Sequence, residues 1–294
     1  MKTAADFHPE VLRCFDKYVH GIIDRRGFLD AVGKYAVGGV TATMLLEALS
    51  PQFALAQKVA KDDKRVSASY VEYASPEGSG KMRGYLVQPA NASGKLPGIL
   101  VVHENRGLNP HIEDIARRLA LDNFIAFAPD ELYPQGGYPG DEDKARELFA
   151  KVDQAKARAD FVAAALYLKG LPNCTGGIGA VGFCWGGGMV NILATRLPDL
   201  VAAVPFYGPQ PSADEAAKIK AALLIHYAGN DERINAGWPA YETALKAAKV
   251  KYEAFTYPGT EHGFNNDTTP RYNEAAAKLA WERTIAFFNR SLRG

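Results

Sequence analysis

The sequence predicts an α/β fold, in which a mostly parallel central sheet is covered by helices on both faces and preceded by an antiparallel hairpin. From Ser67 onward, short runs rich in β-branched residues alternate strictly with longer runs of helical period, a pattern typical of parallel strands joined by helices. The run at 96–102 is uniformly apolar, as expected of a strand buried on both faces. In such a sheet, ligands bind beyond the carboxyl ends of the strands.

Turn and capping residues justify the first predicted elements. Two strand-like runs at 71–74 and 82–87 are separated by Ser-Pro-Glu-Gly-Ser-Gly, which predicts the hairpin. After the strand at 96–102, Asn109 suits an N-cap and the following proline suits the first helical position, so a helix is predicted over 110–121. The next predicted elements are a strand at 124–128 and a long charged helix at 141–168.

The second half of the chain continues this alternation. Strands are predicted at 179–183, 201–206, 222–227 and 252–257, and helices at 186–195, 213–220, 239–248 and 272–288. No internal repeat or low-complexity linker interrupts the pattern, which indicates one catalytic-type domain.

The balance of charge excludes several classes of partner. The 294 residues include 34 Lys and Arg and 33 Asp and Glu, which gives a net charge of +1. Without a basic field or a polybasic run, neither nucleic acid nor a membrane surface is expected as a partner. Cys14, Cys174 and Cys184 are too few for a disulfide framework or a tetrahedral zinc site. Any functional cysteine is therefore expected to act as a single thiol.

The N-terminal segment, residues 1–56, differs in character from the domain predicted over 57–294. The pair Arg25-Arg26 precedes a weakly apolar run at 36–49 and a small-residue site that ends at Ala56. This pattern is typical of a twin-arginine export signal, and it predicts a periplasmic or exported protein.

A second interpretation of the same segment stays open. Apolar residues recur at helical spacing between positions 11 and 22, so the alternative is a pair of amphipathic helices that a cytoplasmic protein retains. The later apolar run contains Glu47 and is too short for a stable membrane span.

Cys184 is the predicted nucleophile because it lies between a strand and a helix with Gly182 and Gly186 on either side. A side chain presented on such a sharp turn needs small neighbours, and the helix N-terminus lowers the pKa of a thiol. One alternative is a buried inert cysteine. Another is a dinucleotide-binding loop, since residues 177–182 spell GxGxxG, but that fingerprint should follow a strand rather than lie within one.

Asp231 and His262 are the predicted partners of this nucleophile. Each follows a predicted strand, and their order of acid and then histidine is the one expected in this arrangement. His262 is expected to act as the base, and Asp231 to fix its tautomer. The adjacent Glu232 and Glu261 compete for the role of the acid.

The loop after the strand at 96–102 is expected to complete the site. Such a loop contributes one backbone N–H to an oxyanion hole, and the residue after the nucleophile contributes the other. Asn105 and Trp185 are thus the predicted donors. The neighbouring His103, Glu104, His111 and Asp114 could suggest a metal, but the histidines are separated by a loop broken by proline, so neither a metal nor another cofactor is expected.

Five motifs carry a resemblance to a known family. They are HENRG at 103–107, PDELY at 129–133, GFCWGG at 182–187, GNDER at 229–233 and EHGF at 261–264. Together these motifs resemble the dienelactone hydrolase family of the α/β-hydrolases. The resemblance implies the α/β-hydrolase fold, a Cys184, Asp231 and His262 triad, and a contact between Glu104 and the resting thiol.

The resemblance also bears on the substrate pocket. In the family's best-known members, arginines bind the carboxylate of a lactone substrate, and one of them comes just after the His-x-Phe segment, where this chain has Asn265 and Asn266. The candidate substrate-binding residues here are Arg106, Arg233, Tyr133, Tyr138, Trp238 and Phe264.

These observations predict a hydrolase that cleaves a small ester or lactone through a cysteine nucleophile, similar to a carboxymethylenebutenolidase. The alternatives are a broader carboxylesterase or thioesterase with the same triad, and a non-catalytic thiol-bearing protein that binds ligands or senses oxidants. The sequence leaves the physiological substrate open, and it is compatible with a homo-oligomer.

Overall fold

One sheet of eight strands forms the centre of the computed structural model, which describes residues 2–294. The strands are β1 Val66–Ser75, β2 Gly80–Pro89, β3 Leu96–Val102, β4 Ile125–Pro129, β5 Cys174–Phe183, β6 Leu200–Phe206, β7 Ala222–Ala228 and β8 Tyr252–Tyr257. They lie in the order β1-β2-β4-β3-β5-β6-β7-β8. The pairs β1/β2 and β2/β4 are antiparallel and all others are parallel, which confirms the predicted sheet and its leading hairpin.

Helices connect the strands and also precede them. The α-helices are α1 Pro9–Val19, α2 Arg25–Val32, α3 Ala42–Leu49, α4 Phe53–Ala56, α5 Pro110–Leu121, α6 Glu142–Phe149, α7 Gln154–Lys169, α8 Trp185–Arg196, α9 Ala213–Ala216, α10 Glu232–Asn235, α11 Trp238–Ala247 and α12 Glu274–Arg293. Short 3-10 turns lie at Ala4–Asp6, Gly33–Tyr35 and Tyr133–Gln135. As predicted, the side chain of Asn109 caps α5 by accepting a hydrogen bond from the amide of Ile112.

The sheet separates two apolar cores, because successive residues of a strand point to opposite faces. In β3, Leu100 and Val102 pack in the core that includes residues of α7, α8 and α11. Ile99 and Val101 pack in the other core, with residues of α5 and α12. All four side chains are fully buried, which explains why this strand is apolar without alternation.

The long helix predicted over 141–168 is two helices, and that prediction was wrong. α6 ends at Phe149, and α7 begins after Asp153, whose carboxylate accepts hydrogen bonds from the amides of Ala155 and Lys156. An N-cap of this kind starts a new helix. The helix predicted at 213–220 is also shorter, since α9 ends at Ala216.

The N-terminal segment packs around an apolar core of its own. The buried members of that core are Phe7, Val11, Leu12, Phe15, Tyr18, Phe28, Val32, Leu46 and Leu49. The segment is attached to α6 through Asp143, which accepts hydrogen bonds from the Tyr18 hydroxyl and, at 2.9 Å, from Arg25. The helical periodicity predicted after position 11 is therefore present as α1, while export of the protein stays a prediction. Within residues 2–294, no helix is both long and apolar enough to cross a membrane.

Candidate active site

Cys184 lies on the tight turn between β5 and α8, where the sequence predicts a nucleophile. Its backbone has φ 56° and ψ −117°, a conformation that costs a residue with a side chain on the order of 1–3 kcal/mol. A Cβ on Gly182 would lie 2.2 Å from the carbonyl oxygen of Gly186, and a Cβ on Gly186 would lie 2.4 Å from that of Val102. Packing therefore requires both glycines, and the turn presents the thiol at the carboxyl edge of the sheet.

His262 and Asp231 form a buried pair in the loops that follow β8 and β7. Nδ1 of His262 donates to Oδ2 of Asp231 at 2.5 Å. This bond orients the ring so that Nε2 faces the thiol, where it can hold or accept a proton. Nε2 of His262 is itself buried and has no hydrogen-bond partner in the described part of the chain. Of the competing acids, Glu261 accepts a hydrogen bond from Asn230 and Glu232 is exposed.

A second imidazole, that of His20, approaches the Cys184 thiol from the end of α1. Nε2 of His20 lies 3.4 Å from Sγ of Cys184. One ring nitrogen of His20, one of His262 and Sγ of Cys184 all lie within 4.8 Å of one another. Sequence reasoning missed His20, because helical periodicity indicates that α1 is a helix but gives no signal of what its end contacts.

The three side chains set the charge of the thiol together. Burial raises the pKa of Cys184, but the imidazoles of His262 and His20 outweigh burial and lower this pKa to about 6. Burial lowers the pKa of His262, but the Cys184 thiolate and the Asp231 carboxylate raise it to about 10. The thiolate and the imidazolium thus stabilise each other, which favours the reactive form of a cysteine nucleophile.

The predicted oxyanion loop lies beside this turn. Trp185 is the first residue of α8, so its amide has no acceptor within the helix. The side chain of Asn105 is anchored to the N-terminal segment, because its Nδ2 donates to the carbonyl oxygen of Val19 at 2.9 Å.

Glu104 lines the same cavity as Cys184 but is held by a different partner. Its carboxylate accepts a hydrogen bond from Nδ2 of Asn266 at 2.9 Å. The thiol's hydrogen-bonding neighbour is His20 rather than Glu104, contrary to the expectation from the resemblance. The inserted end of α1 occupies the position beside the sulfur, which explains the difference.

A cavity of about 350 Å³ lies over Cys184 and His262. The N-terminal segment supplies part of its wall, including Phe15 and Tyr18, and the loops at the carboxyl edge of the sheet supply the rest. The volume is suited to a small molecule. This cavity would therefore bring a substrate into contact with both parts of the chain.

Among the polar side chains that line this cavity, Arg106, Tyr138 and Arg271 differ in the hydrogen bonds that they make. The predicted Arg106 and Tyr138 are both present, but Arg106 is buried and donates to the carbonyl oxygens of Val19 and Asn105. Arg271, which sequence reasoning missed, has no hydrogen-bond partner for Nε or Nη1 within residues 2–294. Its position in the loop after His262 is the one signal in the sequence, but it lies seven residues beyond Phe264.

The other predicted pocket residues lie elsewhere. The Tyr133 hydroxyl donates to Glu72 at 2.7 Å, and Tyr133 is not among the residues that line the cavity. Phe264 is fully buried in the core of the sheet. Trp238 packs in the opposite core. These three assignments were wrong, because sequence does not separate a pocket aromatic from one that packs beneath it.

Arg233 lies on the other side of His20. It lines a second cavity of about 400 Å³, which also reaches Cys184 and His262. Nη2 of Arg233 lies 3.0 Å from Nε2 of His20. Arg233 therefore contacts the site through His20 rather than through the first cavity.

Residues 82–292 match the family model described as the dienelactone hydrolase family. This chain belongs to that family. A Salmonella typhi protein named as a carboxymethylenebutenolidase is 35% identical over 228 residues, which cover 72% of this chain and 84% of the relative. The crystal structure described as a dienelactone hydrolase from Klebsiella pneumoniae is 31% identical, with a TM-score of 0.68, and covers 76% of this chain and 99% of its own. This member of the dienelactone hydrolase family is thus a hydrolase of esters or lactones.

The N-terminal segment is similar to a second family. Residues 1–36 match a family model described as YqhI-like, which lies outside the dienelactone hydrolase match. The Klebsiella structure is matched over almost its whole length by three quarters of this chain. A dienelactone hydrolase-like phosphotriesterase from metagenomic libraries, 24% identical with a TM-score of 0.67, shares the fold.

Proposed function

We propose that Cys184, His262 and Asp231 form a catalytic triad that cleaves a small ester or lactone through a thioester intermediate. The observation that carries this proposal is the thiol on its strained turn, which faces a buried imidazole oriented by a carboxylate at 2.5 Å. This is the geometry of an activated nucleophile.

Each step of the proposed reaction has a residue that can carry it out. The Cys184 thiolate attacks the carbonyl carbon, and the backbone amides of Trp185 and Asn105 stabilise the oxyanion. The C–O bond to the leaving alkoxide breaks, and His262 gives that oxygen a proton. Water then attacks the thioester with His262 as base, the acid product departs and the thiolate is restored.

The cationic lining of the cavity favours a substrate that carries a carboxylate. Nε and Nη1 of Arg271 have no hydrogen-bond partner among the described residues, and Nη1 lies 3.7 Å from the carboxylate of Asp16. Arg106 lies in the same cavity. An arginine recognises a carboxylate through paired, charge-assisted hydrogen bonds. Arg271 thus offers the contact that Asn265 and Asn266 do not.

The test compares the wild-type chain with Cys184→Ala in hydrolysis of p-nitrophenyl acetate. We expect the rate to fall by about 10³-fold or more in Cys184→Ala and in His262→Ala, with a smaller loss in Asp231→Asn. Cys174→Ala is the matched control, because Cys174 is a buried cysteine at the other end of β5. An acyl adduct on wild-type protein quenched in acid should be absent from Cys184→Ala.

Near-wild-type turnover by Cys184→Ala would refute the nucleophile assignment. A reactive Cys184 without turnover of any ester would instead favour the thiol-bearing sensor. A panel of lactones and matched linear esters then separates a lactonase from a broader esterase.

A further inference from the structure

We propose that His20, Cys184 and His262 form a binding site for a soft divalent cation, represented by Zn²⁺, and that metal binding blocks the nucleophile. The site joins the N-terminal segment to the triad. Binding depends on the donor atoms alone, whereas the block rests on the proposed role of Cys184 as the nucleophile.

The spacing of the donor atoms is close to that of a tetrahedral zinc site. Zinc bonds of about 2.3 Å to sulfur and about 2.0–2.1 Å to nitrogen place the ligand atoms roughly 3.4–3.6 Å apart. The observed distance between Sγ of Cys184 and Nε2 of His20 is 3.4 Å. The His262 nitrogen completes a set that lies within 4.8 Å, so a small movement of its ring brings it to bonding distance.

Both imidazoles are oriented as metal ligands usually are, with Nδ1 turned toward an acid. Nδ1 of His262 donates to Asp231 at 2.5 Å. Nδ1 of His20 lies 2.7 Å from the carbonyl oxygen of Asp16 and 3.2 Å from its carboxylate. Such outer contacts fix the tautomer and raise the basicity of the ligand. They leave Nε2 of each ring facing the sulfur.

A second observation points independently to a ligand. Nε2 of His262 is buried and faces the Cys184 sulfur, and it has no nitrogen or oxygen partner within residues 2–294, although a buried polar nitrogen normally has one. A cation between this nitrogen, the sulfur and His20 satisfies it. His103 and His111, which the sequence suggested as candidate ligands, are engaged elsewhere, with the amide of Glu131 and with Asp267.

The local charges permit a cation. Arg233 donates a hydrogen bond from Nη2 to Nε2 of His20 at 3.0 Å, so this bond must break before Nε2 can bind a metal. The Arg233 side chain is exposed and can turn into solvent. Arg271 also carries a positive charge in the adjoining cavity, and the carboxylates of Asp16, Asp231 and Glu104 offset it.

Metal binding at this site transfers electron pairs to the metal and releases protons to solvent. Zn²⁺ accepts an electron pair from the Cys184 thiolate and one from each Nε2, and any proton on the thiol or the rings is released to solvent. Nothing is oxidised or reduced. Because the sulfur pair is then held by the metal, the thiolate cannot attack a carbonyl carbon, and the bound metal fastens α1 to the turn at Cys184.

The experiment titrates the full chain with Zn²⁺ against a chromogenic chelator and repeats the titration with Co²⁺. We expect one Zn²⁺ per chain, a cobalt–thiolate charge-transfer band, and a zinc X-ray absorption spectrum with one sulfur and two imidazole ligands. His20→Gln should bind Zn²⁺ at least about tenfold more weakly, as for loss of a ligand. His8→Gln, which removes a histidine from the same segment, should bind as the wild type does.

The proposal is overturned if His20→Gln binds Zn²⁺ as tightly as the wild type, if the zinc shell contains no sulfur, or if the wild type binds no Zn²⁺. The absorption spectrum is measured on the wild type, so it decides the ligand set even if His20→Gln loosens the N-terminal segment. The titration measures metal binding and not ester hydrolysis. A failure of the metal site can therefore be told apart from a failure of the proposed triad.

Discussion

The reactivity of Cys184 depends on opposing influences that come from different parts of the chain. Burial disfavours the thiolate, whereas His262 from the loop after β8 and His20 from the end of α1 favour it. Electrostatic attraction from two imidazoles outweighs the loss of hydration. The sequence shows the first imidazole through its motif, and only the packing of α1 supplies the second.

Alkylation of Cys184 by iodoacetamide is therefore expected at unusually low pH. The rate should reach half its maximum near pH 6, since only the thiolate reacts and its pKa is lowered to about 6. The measurement uses protein with Cys14 and Cys174 replaced by Ser and metal removed by a chelator. His20→Gln should move the midpoint upward. A wild-type midpoint near the ordinary thiol value of about 8.5 would contradict the charge assignment.

Arg271 should act on substrate binding rather than on chemistry. For an ester that carries a free carboxylate, Arg271→Gln is expected to raise KM about 10- to 100-fold with little change in kcat, which corresponds to a charged hydrogen bond of about 1.5–3 kcal/mol. The neutral methyl ester of the same substrate should be unaffected. Arg290→Gln is the control, because Arg290 is paired with Glu253 on the surface. An equal effect on both esters would show that Arg271 acts only through structure.

At the scale of elements, the N-terminal segment covers the carboxyl ends of the strands and forms part of the wall of the cavity over Cys184. α1 contributes Phe15, Tyr18 and His20 to the surroundings of Cys184, and the carbonyl oxygen of Val19 accepts hydrogen bonds from the oxyanion loop. The Klebsiella structure is matched over 99% of its length by 76% of this chain, so about a quarter of this chain has no counterpart there.

Removal of residues 2–56 is expected to open the site. Bulky thiol reagents should label Cys184 at least several-fold faster in the shortened chain, and kcat/KM for bulky esters should rise relative to p-nitrophenyl acetate. Cys174 serves as an internal control, because it is buried in the core at the far end of β5 and should stay unreactive if the domain is folded. Unchanged selectivity between large and small esters would show that the segment does not restrict access.

At the scale of the whole molecule, signals between residues close in sequence predicted the sheet and the tight turn at Cys184. The uniform apolar run of β3 and the cap at Asn109 depend on neighbours in sequence, and both elements lie where they were predicted. The carboxyl-edge rule likewise brought Cys184, Asp231 and His262 together. Signals between residues close in sequence do not predict which distant segments pack against each other. His20 and Arg271 reach the site only through the packing of α1 and of the loop after His262.

Glu131 provides a test of how burial affects the stability of the whole domain. Burial raises the pKa of this carboxyl, and the neighbouring Asp160 and Asp130 raise it further, to about 9. Its Oε2 has no hydrogen-bond partner within residues 2–294. The folded state thus keeps Glu131 protonated where the unfolded chain ionises it. Below the pKa that Glu131 has in the unfolded chain, its contribution to the free energy of unfolding is fully present. This contribution is lost as the pH rises toward 9.

Glu131→Gln removes this ionisation and should stabilise the protein increasingly with pH. The difference in unfolding free energy between Glu131→Gln and wild type should be small near about pH 5 and grow toward about pH 8, by at most about 1.4 kcal/mol per pH unit for one proton. Urea unfolding curves at several pH values measure it. The control is Glu147→Gln on the exposed face of α6, whose difference from wild type should not vary with pH. If the Glu131→Gln difference is equally constant, Glu131 is ionised in the folded protein, and a cation or solvent must reach its buried carboxylate.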